Sequence, residues 1–113
     1  MNRLGLKLKD FDKYIYPFQK NLDIKLVISH LISSEEKSVL NNNQLKLFKD
    51  IKKKFYFSKK TLFSLGNSNS IFLKNKFHFD MIRAGGIIYG LDLTKKTRSR
   101  NVLSLKAKII QIE

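Results

Sequence analysis

Two short apolar segments separated by one amphipathic segment limit the folds available to this chain more than any other feature. Residues 24–30 form an apolar run with β-branched members, which predicts a buried strand. Large apolar residues at helical spacing, with lysines between them, then predict a helix: Leu45, Phe48, Ile51 and Phe55. Residues 61–65 predict a second strand. Because the order strand, helix, strand is typical of parallel α/β structure, the chain is predicted to belong to that class.

The sequence also carries signals for helix ends. Apolar residues at helical spacing predict a helix over residues 10–20, and Pro17 inside it should shorten or kink the helix. Asn41 is predicted to cap the central helix, because Gln44 follows three residues later as in a capping box.

Three more elements are predicted after the second strand. A brief helical turn is predicted at residues 70–73 and a third strand at residues 79–82, and alternation of apolar and polar residues predicts another strand at residues 102–112. These strands are too few for a closed parallel barrel, which needs eight strands and about 250 residues. The 113 residues are therefore predicted to form either a small open sheet or a slice of a larger α/β fold.

The chain is strongly basic, with a net charge of +14 from 23 Lys and Arg against 9 Asp and Glu. Such a charge attracts nucleic acid and other anionic surfaces. The lysines are scattered, however, and abundant Lys, Asn, Ile and Phe are typical of an AT-rich coding bias. No helix-turn-helix, RNP or zinc-finger pattern is present. A small basic nucleic-acid-binding protein is therefore kept as the alternative, and duplex DNA is expected to bind only non-specifically and to be released by added salt.

Cysteine is absent, which excludes a disulfide framework and a cysteine-based metal site. The two histidines are far apart in the sequence, so no metal site is predicted. Neither a secretory signal nor an apolar stretch long enough to span a membrane is found, and the expectation is a cytoplasmic location with no membrane partner.

Polar residues and glycines follow the ends of the three predicted strands. They are His30 after the first strand, Asn67 and Ser68 after the second, and Arg83, Gly85 and Gly86 after the third. Ligands bind at this carboxyl edge in parallel α/β folds, and a serine hydroxyl with a glycine pair suits a phosphate. Plainer interpretations are a turn for the glycine pair, a backbone hydrogen bond for His30, and an ion pair with Asp80 for Arg83.

Several segments, taken in order along the chain, resemble one family. Residues 79–91 are similar to the alanine racemase signature, which leads from Asp-Met-Val-Arg through a glycine-containing turn to Tyr-Gly. Residues 64–68 are similar to the family's Asn-Ser phosphate loop, residues 28–31 to its Thr-His segment, and residues 1–6 to its Gly-Met-Asn-Arg-Leu-Gly motif. Residues 102–112 resemble the first strand after the barrel. The resemblance thus covers essentially the whole chain.

The resemblance implies that the chain is an internal fragment of a pyridoxal 5'-phosphate (PLP) dependent alanine racemase with the fold type III barrel. Residues 1–91 would form roughly the second half of the TIM-type (β/α) barrel, and residues 92–113 a linker and the first strand of a truncated β domain. The implied reaction interconverts L- and D-alanine and supplies D-alanine for cell-wall precursors. The implied partners are alanine, complementing racemase fragments or a homodimer partner.

The same resemblance implies roles for three residues around the PLP ring and the substrate. Arg3 would contact the phenolic oxygen of PLP and the carboxylate of the substrate. His30 would link the arginine on the cofactor side to a tyrosine base. Arg83 would donate a hydrogen bond to the pyridine nitrogen and, being always charged, would leave that nitrogen unprotonated.

The phosphate of PLP would be held by Ser68 and by the backbone N–H groups of Gly85 and Gly86. Departures from the family pattern surround this site. Gly86 stands where the family commonly has a larger apolar residue, Ala84 where it often has proline, and Asn69 where a small residue is usual. These substitutions do not remove the backbone N–H groups, so contact with a phosphate remains the expectation.

Two groups on which the family's reaction depends belong to motifs that these 113 residues do not contain. The Schiff-base lysine lies on the first barrel strand, and the tyrosine base lies in the C-terminal domain. The chain alone is therefore predicted to be inactive and to hold PLP weakly. Its start at the methionine of the Gly-Met-Asn-Arg motif is interpreted as an internal start in a split or decaying gene, so an inert gene remnant is a second alternative.

Overall fold

The computed structural model describes residues 5–91, 100, 102, 104 and 106–111. Its centre is a parallel pair of strands, β1 (Leu26–Ile28) and β2 (Leu62–Ser64), in which Leu26 pairs with Leu62 and Ile28 with Ser64. Helix α2 (Val39–Lys54) connects the two strands. A helical segment that begins with α1 (Leu8–Asp10) precedes β1. The parallel α/β class predicted from the sequence is therefore confirmed.

The N-terminal helical segment changes its winding twice. Helix α1 continues as a π-helical turn (Phe11–Ile15) and then as a 3-10 helix (Tyr16–Asn21), with Pro17 in the first turn of the latter. Proline has no N–H to donate, so the regular helix cannot continue through Pro17, and the predicted interruption is confirmed. The segment packs beside the end of α2, because the ring of Phe11 lies 4.8 Å from that of Phe55.

Helix α2 is capped by Ser38 and not by Asn41, so the predicted cap is wrong. Ser38 has extended backbone angles, and its hydroxyl accepts the N–H of Leu40 at 3.2 Å. Asn41 lies in the first turn, where its side-chain amide donates to the carbonyls of Ser33 at 2.8 Å and Glu36 at 3.0 Å. A serine in extended conformation satisfies the first N–H groups of a helix, whereas an asparagine already inside the helix faces back to the loop.

Replacing this cap gives the first testable result. We expect Ser38→Ala to lower the free energy of unfolding by about 0.5–2 kcal/mol, because an N–H group at the start of α2 loses its acceptor. Asn43→Ala, at an exposed position of the same helix, is the matched control and should change stability by less than about 0.5 kcal/mol. Urea unfolding followed by circular dichroism measures both, and equal effects of the two changes would contradict the assignment of Ser38 as the cap.

The hydrophobic core lies between α2 and one face of the strand pair. Its buried members come from α2, from β2 and its extension, and from the loops on either side: Leu31, Leu45, Phe48, Phe63, Leu65 and Phe77. Phe48 makes edge-to-face contacts with Phe63 and with Phe79, at ring distances of 6.1 and 4.9 Å. The apolar stripe predicted for the central helix therefore faces the sheet, as the spacing requires.

The third strand predicted at residues 79–82 is not formed. The segment makes one parallel bridge, between Asn67 and Arg83. Phe79 has a positive φ of 54°, which is incompatible with strand geometry. The carboxylate of Asp80 accepts the N–H of Phe63 at 2.8 Å, in the place of the carbonyl that a neighbouring strand would offer. The segment runs beside β2, and two backbone bonds hold it there together with the Asp80 side chain: the N–H of Asp80 donates to the Phe63 carbonyl and that of Arg83 to the Gly66 carbonyl, each at 3.1 Å.

Short 3-10 helices lie between β2 and residue 91, one of them at Asn75–Phe77. The predicted turn at residues 70–73 is confirmed as Ser68–Phe72, and Gly86–Tyr89 forms another, ended by Gly90 with a φ of 85°. Of the strand predicted at 102–112, the described residues 102, 104 and 106–111 form no helix or strand, and residues 103, 105 and 112 lie outside the described set. The described part of the chain pairs no strand with these residues, and alternation alone cannot produce a ladder of hydrogen bonds. No described helix is long and apolar enough to cross a membrane.

Candidate functional site

The residues singled out from the sequence meet at the carboxyl edge of the strand pair. His30 follows the end of β1, Ser68 follows β2, and Arg83 lies at the bridge beside Asn67. Gly85 comes next, and its N–H donates to the hydroxyl of Ser68 at 2.8 Å. The arrangement follows from parallel topology, because strands that run in one direction end at one edge. Arg3, the remaining predicted residue, lies outside the described part of the chain.

Arg83 is the most firmly held of these side chains. Its Nη1 donates to the carbonyl of Ser64 at 3.0 Å and to the hydroxyl of Ser64 at 2.5 Å. Its Nη2 donates to the carbonyl of Ser29 at 2.6 Å. A guanidinium group carries five N–H donors. These bonds therefore fix the plane of the Arg83 guanidinium and leave other N–H groups of it able to donate to a ligand. The ion pair with Asp80 that the sequence left open is not formed, since Asp80 accepts from the backbone of β2 instead.

Partial burial of the guanidinium lowers the pKa of Arg83 from its ordinary value, and removal from solvent is the cause. Arginine begins from so high a pKa that the group keeps its proton throughout the physiological range. Arg83 therefore presents a fixed positive charge at this edge.

Ser64 is a site residue that the sequence analysis missed. The side chain is fully buried, accepts from Arg83, and donates to the carbonyl of Met81 at 3.0 Å. The hydroxyl thus joins the arginine to the segment that leads into it. A polar residue between Phe63 and Leu65 in an apolar run was the available signal, because a buried hydroxyl must have hydrogen-bond partners.

His30 lies at the exposed side of the site, between two donors. Its Nδ1 is 3.5 Å from Nη2 of Arg83, and its Nε2 is 3.4 Å from the side-chain nitrogen of Asn67. A neutral imidazole has only one acceptor nitrogen, so these two contacts cannot both be strong hydrogen bonds. The backbone of His30 is held more closely, since its carbonyl accepts from Gln44 of α2 at 2.9 Å.

The Ser68 hydroxyl and the start of the following turn form the other half of the site. Since the Ser68 oxygen accepts the Gly85 N–H, its own proton remains able to donate to a ligand. Gly86 opens the 3-10 helix Gly86–Tyr89, so the first N–H groups of that turn have no partner within it. A Cβ on Gly86 would approach the Cβ of Leu91 to 3.3 Å, which leaves little room for a larger residue. Among the described residues no group of three His, Cys, Asp or Glu could hold a metal ion.

Comparison with known proteins places these features in a family. Residues 1–93 match the model of the alanine racemase N-terminal domain. The alanine racemases of Rickettsia akari and Rickettsia rickettsii are 39% and 40% identical to the chain over its whole length. A solved alanine racemase from Bartonella henselae, with covalently bound pyridoxal phosphate, superposes on 87% of the chain with a TM-score of 0.76 and 36% identity.

The match is complete for this chain but partial for its relatives. The chain spans 31% of the length of each of the two Rickettsia enzymes and 28% of the Bartonella chain. It belongs to the alanine racemase family.

Proposed function

We propose that these 113 residues form roughly the second half of the PLP-binding barrel of an alanine racemase. They would supply the groups that bind the cofactor phosphate and the nitrogen of its ring. The observation that carries the proposal is the joint placement of Ser68 and Arg83 at one strand edge, each held by the segment around it. This placement occurs in a chain whose residues 1–93 match the alanine racemase N-terminal domain.

The chemistry of the site suits PLP. A phosphate requires hydrogen-bond donors, and the Ser68 hydroxyl and the N–H groups at the start of Gly86–Tyr89 are donors at the same turn. The pyridine nitrogen is an acceptor, and Arg83 has N–H groups beyond those directed to Ser64 and Ser29. The side-chain-free Gly85 leaves space beside Ser68, since a Cβ there would remain 3.9 Å from the serine oxygen.

Bound PLP would withdraw electrons from the α-carbon of an amino acid. This chain would contribute residues that orient PLP and adjust the electronic properties of its ring. Arg83 would place a positive charge and an N–H donor at the ring nitrogen, which would then stay unprotonated. Ser64 and the Ser29 carbonyl fix the plane of the guanidinium. His30, at 3.5 Å from Arg83, would extend the network to the tyrosine that exchanges the α-proton. Arg3 would bind the substrate carboxylate.

The same assignment makes the chain inactive by itself. The lysine that holds PLP and the tyrosine that completes proton exchange belong to segments of the family that these residues do not match. A complete assembly would interconvert L- and D-alanine in the cytoplasm for cell-wall precursors, in a dimer or with complementing racemase segments. The 113 residues would contribute cofactor binding to that assembly.

A chimeric enzyme tests the proposal. The matched region of Rickettsia akari alanine racemase is replaced by these residues, and the dissociation constant for PLP is measured by spectroscopic titration. We expect the chimera to bind PLP, and Ser68→Ala to weaken binding roughly 10- to 100-fold, because a hydrogen bond to a charged group contributes about 1.5–3 kcal/mol.

Ser58→Ala is the matched control for this titration. Ser58 is exposed and lies before β2 at the opposite end of the strand, and its hydroxyl accepts a local N–H from Lys60. Its replacement should leave the PLP dissociation constant within about twofold of the unmodified chimera. A folded chimera that does not bind PLP, or equal effects of the two serine changes, would reject the proposed function.

A further inference from the structure

His78, one of the two histidines of the chain, has no role in the site described above. It follows the 3-10 helix Asn75–Phe77, and its side chain is half-buried. The Nε2 atom of His78 lies 2.9 Å from the carbonyl oxygen of Ser70. A carbonyl oxygen can only accept, so Nε2 carries the proton in this contact and donates it. The imidazole of His78 therefore holds the backbone of the 3-10 helix Ser68–Phe72.

The start of the helix Ser68–Phe72 is fixed by other polar groups. Ser70 is fully buried, and its hydroxyl donates to the Asn67 carbonyl at 2.6 Å. The N–H of Ser70 donates to the side-chain oxygen of Asn67 at 3.3 Å, which caps the helix. A Cβ on Gly66 would lie 2.5 Å from the Ser70 hydroxyl, so the serine has little room to move. His78 adds a contact to this helix from a separate segment of the chain.

The segment that begins with His78 leads directly to Arg83. Two residues after His78, the carboxylate of Asp80 accepts the Phe63 N–H at 2.8 Å and attaches the segment to β2. His78 and Asp80 thus bind different elements, the first the helix that begins at Ser68 and the second a strand. The bond of His78 therefore connects the segment that carries Arg83 to the helix that carries Ser68.

The contact is not needed to satisfy the carbonyl of Ser70. The same oxygen accepts the N–H of Leu73 at 3.0 Å, within the turn itself. Removing the imidazole would therefore leave the carbonyl with a hydrogen-bond partner, and the cost of an unsatisfied buried group would not arise. The main effect of the His78 bond is thus expected on the position of the helix Ser68–Phe72, and less on whether the helix forms.

We propose that His78 is a positioning residue for the cofactor, which fixes the Ser68 hydroxyl relative to the Arg83 guanidinium. The inference rests on the proposed function, in which these two groups bind the phosphate and the ring nitrogen of PLP. The ring of PLP is rigid, so both groups must be held at one separation before binding for either hydrogen bond to have good geometry. The bond from the Gly85 N–H to the Ser68 oxygen joins the same two segments at a second point, and two points resist rotation better than one.

Binding of PLP and of 5'-deoxypyridoxal, which has no phosphate group, distinguishes positioning from general support. Both are titrated spectroscopically into the racemase chimera. We expect His78→Leu to weaken PLP binding roughly three- to tenfold, because the phosphate donors lose one of their fixed contacts. The dissociation constant of 5'-deoxypyridoxal should stay within about twofold, since this compound has nothing to place at Ser68.

Two further variants of the chimera complete the titration. His78→Gln keeps an N–H donor at a similar reach and should bind PLP within about twofold of the unmodified chimera. Asn75→Leu introduces the same leucine at an exposed residue of the same segment, and should also leave PLP binding within about twofold. Circular dichroism of each variant measures whether the chimera is folded to the same extent.

Hydrogen exchange of the 113-residue chain gives a readout without cofactor. The N–H groups of Leu73 and Gly85 both bond to the helix that His78 holds. In the His78→Leu chain we expect these two amides to exchange at least about threefold faster, because the helix opens more often. The Ser29 amide, which donates to Ser64 within the strand pair, is the internal reference and should keep its rate.

Four results would overturn the inference. They are PLP binding by His78→Leu within twofold of the unmodified chimera, equal weakening of PLP and 5'-deoxypyridoxal, no recovery in His78→Gln, and unchanged exchange of Leu73 and Gly85. An unmodified chimera that fails to bind PLP would instead reject the proposed function. The exchange of Leu73 and Gly85 would then still decide whether His78 holds the helix Ser68–Phe72.

Discussion

The purified 113-residue chain is expected to show no measurable interconversion of L- and D-alanine, even with excess PLP. Racemisation requires one group to remove the α-proton and another to supply it on the opposite face, and each contributes about 10²–10⁴-fold. Under the proposed function the chain would carry residues that position the cofactor and neither of those groups. Losing the covalent attachment of PLP reduces its retention further.

The measurement is the appearance of D-alanine from L-alanine by a coupled oxidase assay, with complete Rickettsia akari alanine racemase as the positive control. Adding the upstream racemase segment alone should not restore full activity, because the tyrosine of the C-terminal domain would still be missing. Sustained turnover by the 113 residues alone would show that the assignment of the missing groups is wrong.

Truncating Phe48 is expected to destabilise the described domain strongly. The side chain is buried and contacts the rings of Phe63 and Phe79, so Phe48→Ala leaves a cavity between α2 and the sheet. Truncations of this kind lower the free energy of unfolding by about 3–5 kcal/mol. Since small domains have a total stability of only about 5–15 kcal/mol, this loss is a large fraction of the total.

Leu47→Ala is the matched control, since Leu47 is the neighbouring residue on α2 and is mostly exposed. It should change stability by less than about 0.5 kcal/mol. Thermal unfolding followed by circular dichroism compares the two variants under the same conditions. If Phe48→Ala unfolds at the temperature of Leu47→Ala, the core does not lie where the contacts of Phe48 place it.

Local pattern was sufficient for the central strand–helix–strand unit. The apolar residues of α2 recur with the helical period, and the two β-branched or aromatic runs flank it, so each element is encoded in its own stretch of sequence. Parallel pairing followed from their order, because a helix between two strands brings them into one sheet in the same direction. Placement of His30, Ser68 and Arg83 at one edge was a consequence of that topology.

Local sequence pattern gave the wrong prediction where a side chain had more than one possible hydrogen-bond partner. Asparagine is a residue type that often caps helices. In the folded chain, however, the Asn41 amide donates to the carbonyls of Ser33 and Glu36, and Ser38 forms the N-cap of α2. Residues 79–82 have the composition of a strand, but Phe79 has a φ of 54° and the Asp80 carboxylate accepts the Phe63 N–H, so no regular ladder forms on β2. In each case the competing partner is distant in sequence or depends on the path of a loop.

The sequence by itself determined the α/β class, the central helix with its buried face, and the residues that end the strands, because these depend on periodicity and chain direction. Only the tertiary structure decided which polar groups meet. It brought Ser64 and the Ser29 carbonyl to Arg83 across 19 and 54 residues of sequence. Among the residues that the structure describes, it also gave β1 a partner strand at one edge and none at the other. Hydrogen bonds act over about 3 Å, so a site built from them exists only once packing has fixed the distances between segments.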